Sequence, residues 1–224
     1  MLEGLPQRTD GQTREDFETI VHAFQYAVEN YPNTIAIRCG EDQASYLEYG
    51  EGVAAIAAFL TSQGIVKGER VAICASSSIS LPMLIFGVLS AGAQATLINP
   101  NYTEREINPL LDISEPKLIF HDATSQAAIE NASEGREIRL IDTAEPAENW
   151  QDKSVTSLPS ALPRAEDGAI IMFTGGTTGV SKGVPHSHAK VIAAMQIQED
   201  RWPTDIGTDI WLNVPPLFHI TGLY

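Results

Sequence analysis

The residues with the greatest chemical reach lie together in one stretch, Thr174-Gly175-Gly176-Thr177-Thr178-Gly179-Val180-Ser181-Lys182-Gly183. Four glycines in ten residues let the backbone turn tightly and bring its N–H groups close to a ligand. Successive N–H groups in such a turn form a concavity suited to anions. The hydroxyls of Thr174, Thr177 and Thr178 add donors, and the Lys182 ammonium adds a point charge that can follow moving phosphates. By composition this is a phosphate loop, although a surface turn with one exposed lysine has the same makeup. It is not a Walker A loop, because Lys182 follows Ser181 and precedes Gly183 where that motif has Gly-Lys-Ser/Thr. No GxGxxG follows the strand, so a Rossmann fingerprint is excluded too.

Other polar groups carry less. His219, in Pro215-Pro216-Leu217-Phe218-His219-Ile220, reads on its own as an ordinary turn histidine. His186 and His188 are two apart and share no helix face, so no metal pair is expected. Glu104 and Glu106 read as the acidic first turn of a helix. Cys39 and Cys74, the only cysteines, are expected to be buried reduced thiols in strand-like stretches; no CxxC or close Cys/His grouping gives a zinc site.

The elements that must position these groups follow from apolar periodicity. Phe17, Ile20, Val21, Phe24 and Val28 give one helical face, closed by Asn30-Tyr31-Pro32-Asn33. Residues 34–39 read as a strand, 47–63 as a helix, 71–74 as a buried strand, 78–91 as an apolar helix and 94–98 as the next strand. A helix over 104–113 and a strand over 117–120 follow, and 123–133 with 138–141 repeat the unit. Residues 142–166, with Pro146, Pro159 and Pro163, form a surface connection before a strand over 169–174. A helix is expected from Val191, and a loop with solvated charges from Trp202 to Asp209. This alternation specifies an α/β fold, a layered and mainly parallel sheet flanked by helices, with the loop at the end of one strand.

Net charge bounds the partners. With 29 acidic against 14 basic residues the chain carries −15, a field that repels nucleic-acid backbones and anionic membranes. The longest apolar run, residues 80–96, is interrupted by Pro82, Gly87 and Gly92 and makes no transmembrane segment. No basic n-region and apolar core open the chain, so a cytoplasmic location is expected.

The loop resembles the phosphate-loop signature of the adenylate-forming superfamily, Thr-Ser-Gly-Thr-Thr-Gly-x-Pro-Lys-Gly, with Gly175 in place of Ser and Ser181 in place of Pro. The first change removes a hydroxyl donor and the second a rigid turn; the Thr/Gly/Lys frame is intact. Ser45-Tyr46-Leu47-Glu48, Gly68-Glu69-Arg70-Val71-Ala72-Ile73, Ala91-Gly92-Ala93 with Asn99-Pro100, and the Phe218-His219 segment resemble further family motifs in the same order. The resemblance runs through most of residues 1–224 and implies a partial N-terminal AMP-binding domain of acyl-CoA synthetase or 4-coumarate-CoA ligase type.

Such enzymes join a carboxylate to ATP as an acyl-adenylate, with Mg2+, and then pass the acyl group to coenzyme A. By resemblance Thr174, Gly175, Gly176, Thr177, Thr178, Gly179 and Lys182 hold the ATP phosphates, and His219 and Thr221 line the acyl/nucleotide pocket. The family's metal-binding carboxylate and catalytic lysine have no counterpart up to Tyr224, so no catalytic residue and no metal ligand is assigned. The expectation is therefore a fatty- or aryl-acid ligase portion, inactive alone and able to self-associate or form a homodimer. The alternatives are a non-catalytic nucleotide- or partner-binding protein and a peptide-synthetase adenylation domain.

Overall fold

Several of the helices begin where the sequence supplies a side-chain acceptor for their first N–H groups. In the computed structural model, which describes residues 17–145, 147–174, 181–204 and 209–219, helix α1 (Ile20–Asn30) is capped by Thr19, whose Oγ1 accepts from the His22 N–H. Helix α2 (Tyr46–Ser62) starts on a capping box: the Glu48 N–H donates to Ser45 Oγ, and the Ser45 N–H donates to Glu48 Oε2 at 2.8 Å. Thr103 and Glu106 build a second box at α4 (Glu104–Ser114), so Glu106 is a cap as well as an acidic first-turn residue. Helices α3 (Ser80–Ser90) and α5 (Gln126–Ser133) complete the crossovers, and α6 (His188–Arg201) opens on Ser187.

Strands β3 (Arg70–Cys74), β4 (Gln94–Leu97), β5 (Leu118–His121), β6 (Arg139–Asp142) and β7 (Gly168–Thr174) are parallel. They are ordered β6-β5-β3-β4-β7, and β8 (Lys182–Ser187) adds to β7 antiparallel at the edge. The sheet is thus layered and mainly parallel, as the alternation specified.

Three strands differ from the sequence-based expectation. Strand β1 (Ile35–Cys39) does not join the main sheet; it pairs antiparallel with β2 (Asp42–Ser45) in a separate hairpin turned at Gly40, φ +63°. Neither β2 nor β8 shows apolar alternation. Lys182-Gly183-Val184-Pro185-His186-Ser187 contains a glycine and a proline and has no fully buried residue, which an edge strand tolerates and a central one does not.

One core lies between the sheet and α1, α2, α3 and α6, around Ile56, Leu60, Ile73, Leu84, Phe120 and Val191. The other lies under α4 and α5, around Ile98, Ile107, Leu110, Leu111, Ile119 and Ile129. Each fully buried Ile or Leu contributes about 1.5–3 kcal/mol relative to an exposed one. The long connection before β7 is not wholly superficial, because Trp150 enters the first core edge-on to Phe120. Cys74 is buried, whereas Cys39 is only half-buried, because its hairpin lies outside the main sheet; both are free thiols.

Candidate phosphate site

Strand β7 is buried along Ala169, Ile170, Ile171 and Met172 and becomes exposed at Thr174, where it leaves the sheet. Its chain returns at once as β8, with Phe173 opposite Gly183 and Thr174 opposite Lys182. Thr174 and Lys182 therefore face each other across the mouth of a hairpin, at the carboxyl end of the parallel strands. Gly175, Gly176, Thr177, Thr178 and Gly179 lie outside the described residues.

The chain leaving the carboxyl end of β7 stays in the sheet as β8 and reaches α6 only at the amino end, where Ser187 pairs with Gly168. The adjacent strands whose carboxyl-end connections go to opposite faces are β3 and β4: β3 runs to α3, on the Leu84 side of the sheet, and β4 to α4, on the Ile107/Leu110 side. Such a divergence opens a crevice at the carboxyl ends, the usual ligand position in open α/β sheets. The Thr174/Lys182 hairpin mouth belongs to β7, the next strand beside β4, and Lys182 is exposed there. Sequence reasoning found the loop but not the antiparallel return that frames it.

His219 lies in an exposed turn, its N–H donating to Pro216 O at 3.0 Å, while Leu217 and Phe218 pack against the first core. Thr221 lies outside the described residues. His186 is on β8 and His188 opens α6, so the two do not share an element. Both ring nitrogens of His188 are buried without a partner among the described residues. Burial pushes its pKa down to about 4, against the opposing pull of the Asp167 carboxylate, with His22 adding to the depression.

A second set of polar groups, not singled out from the sequence, sits at the carboxyl ends of β3, β5 and β6. Cys74, His121 and Asp142 lie in register on these adjacent strands. The row is not a nucleophilic triad, because burial pushes the Cys74 thiol up to about 12 and keeps it protonated. Beside it, Asp122 accepts from the Ser76 N–H at 2.8 Å and the Thr124 N–H at 3.0 Å, and Ser125 Oγ donates to Cys74 O. This network ties the β3 and β5 connections together and consumes its own donors. Among the described residues no group of three or more His, Cys, Asp or Glu could hold a metal ion.

A mainly parallel sheet covered on both faces, with the Thr174/Lys182 hairpin at its carboxyl edge, is the class of α/β protein that binds ligands at the ends of its strands. Comparison gives the family: the AMP-binding enzyme family matches residues 24–224, and the chain belongs to it. It is 30% identical over 188 residues to peroxisomal OPC-8:0-CoA ligase 1 of Arabidopsis thaliana, an alignment covering 80% of this chain and 34% of that protein. It is 30% identical over 203 residues to a plipastatin synthase polypeptide of Bacillus subtilis, covering 90% of this chain and 7% of that one. Among solved structures, the N-terminal domain of FACL13 from Mycobacterium tuberculosis superposes with a TM-score of 0.82 at 24% identity, over 92% of this chain and 53% of that one. The chain spans about a third of the length of the curated CoA ligases it matches. Among the described residues no helix is long and apolar enough to cross a membrane.

Proposed function

We propose that the chain supplies the ATP-phosphate loop and part of the acyl pocket of a cytoplasmic acid–thiol ligase, acting on a fatty or aryl carboxylate. The reading rests above all on the hairpin that sets Thr174 opposite Lys182 at the carboxyl end of β7, beside the β3/β4 switch point. Loop N–H groups and the threonine hydroxyls of residues 174–179 hold the β- and γ-phosphates, and Lys182 neutralises charge as pyrophosphate departs. The carboxylate attacks the α-phosphorus, the bond to the β-phosphate oxygen breaks, and pyrophosphate carries the electron pair away. The sulfur of coenzyme A then displaces AMP. His219 and Thr221 border the acyl and nucleotide groups in this reading. Mg2+, which shields phosphate charge when bound, finds no ligand set among the described residues, and no step above runs through it.

The 224-residue chain by itself is proposed to bind ATP without completing the thioester reaction, in keeping with its span of about a third of the curated ligases. Titration with ATP tests the core of this reading. Saturable binding should weaken about tenfold or more in Lys182→Ala, the scale of one lost charge-assisted contact. No saturable binding, or equal binding by the variant, sinks the proposal. The similarity to the plipastatin synthase polypeptide favours a second reading, adenylation of a substrate destined for a carrier-bound thiol. Assays of the complete enzyme with coenzyme A and with a carrier-protein thiol separate the two.

A further inference from the structure

Gly183 follows Lys182 directly, and its backbone does not need to be glycine for conformational reasons. Positive φ occurs at Gly64, Gly68 and Gly92, but not at Gly183. What Gly183 lacks is room. A Cβ there would lie 2.7 Å from Ile113 Cγ2, 3.3 Å from Ile171 Cγ2 and 3.5 Å from Phe173 Cε1. The last two atoms belong to β7, the strand on which β8 pairs; the first comes from the last turn of α4, on a separate crossover.

Ile113 is well placed to act as a fixed surface. Its Cγ2 is attached at a branched Cβ within a helix, where χ1 is held in one strongly preferred well. Helix α4 is anchored through the buried Ile107, Leu110 and Leu111. Its carboxyl end is tied to β3, because the Arg70 guanidinium donates to Ser114 O at 2.7 Å and to Glu115 O at 3.2 Å. Strand β8, by contrast, is an edge strand whose Lys182, Val184 and Pro185 side chains are exposed. Ile113 is itself 44% exposed, so its packing value is spent on this contact rather than in the core.

We propose that Ile113 is a positioning residue for Lys182: it is the surface on which the Gly183 backbone rests, and so it sets where the lysine stands opposite Thr174. The glycine after the lysine then serves helix packing rather than approach of the backbone to a ligand. This deepens the functional reading above and rests on it for its consequence, though not for the contact itself.

The test uses two readouts on the 224-residue chain: the backbone amide resonances of Lys182 and Thr174 without ligand, and ATP affinity by titration. In Ile113→Ala both amides should shift and ATP affinity should fall about threefold, while Ile113→Val, which keeps the γ-methyl at the contact, should match the wild type. Gly183→Ala should lose about tenfold, and the double variant Ile113→Ala/Gly183→Ala should recover to within about threefold of wild type, since the new methyl then has space. Unmoved Lys182 and Thr174 amides in Ile113→Ala would overturn the proposal, as would a Gly183→Ala defect that the second change leaves untouched. Should the wild type bind no ATP, the functional reading fails, and the amide shifts still decide the contact.

Discussion

His188 carries two ring nitrogens into surroundings that give them no partner. Its own N–H donates to Asp167 O, and the Asp167 carboxylate is already held by Lys67 at 2.7 Å. The ring also stands at the start of α6, where the helix dipole disfavours a cation. These effects agree with a pKa pushed down to about 4, against an ordinary value near 6.5. Below about pH 6.5 the unfolded chain takes up a proton that the folded chain refuses, so stability is full above that pH and drains away as pH falls towards 4. The loss from this one group reaches at most about 3 kcal/mol. Urea midpoints measured from pH 8 to pH 4 should fall more steeply for the wild type than for His188→Leu, with the difference growing between 6.5 and 4. Parallel curves would mean that the imidazole reaches solvent and titrates normally.

At the level of elements, α2 and α3 meet through a glycine. A Cβ at Gly87 would lie 2.4 Å from Ile56 Cγ2 and 2.7 Å from Ile56 Cβ, positions that neither helix can yield without moving apart. Two effects oppose each other in Gly87→Ala: alanine gains about 1 kcal/mol of helix propensity, and overpacking costs about 1–3 kcal/mol. At 2.4 Å the steric term wins, so the variant should be less stable by up to about 2 kcal/mol in urea unfolding followed by helical circular dichroism. A variant as stable as the wild type would show that the helix pair can slide. The sequence made α2 and α3 legible through their apolar runs, but it could not show that Gly87 is a contact rather than an interruption. The same holds elsewhere. Ser45-Tyr46-Leu47-Glu48 stood out as a motif and is in fact a helix cap, and Gly68 and Gly92, both with positive φ, mark the turns before β3 and β4. The loop residues were legible because glycine, threonine and lysine together have a chemistry. Strands β2 and β8 were not, because short hairpin strands at edges bury little and so leave no periodic pattern. The register of Cys74, His121 and Asp142 arises only when three distant strands align.

Across the whole molecule two forces compete at one surface. Residues 209–214 have no regular secondary structure, and Ile210 is 87% exposed, Leu212 85% and Val214 77%, with Trp211 beside them and Trp202 and Ile197 exposed on and after α6. So contiguous a run of uncovered apolar side chains favours association with another chain. The net charge of −15 opposes it, because two copies repel over a Debye length of about 8–10 Å in moderate salt. Added salt shortens that range without weakening apolar burial, so the balance should tip towards association as ionic strength rises. Light scattering on the 224-residue chain should give a mass near 24.3 kDa in dilute low-salt solution. The mass should climb with concentration and faster in about 0.5 M than in about 0.05 M sodium chloride, where screening lengths differ about threefold. Ile210→Asp/Leu212→Asp should hold the mass at that of one chain throughout, because it removes the apolar contact and adds repulsion. A wild-type mass that stays monomeric at every salt concentration would show that charge dominates this face, and growth that persists in the double variant would move the contact to the β8 edge.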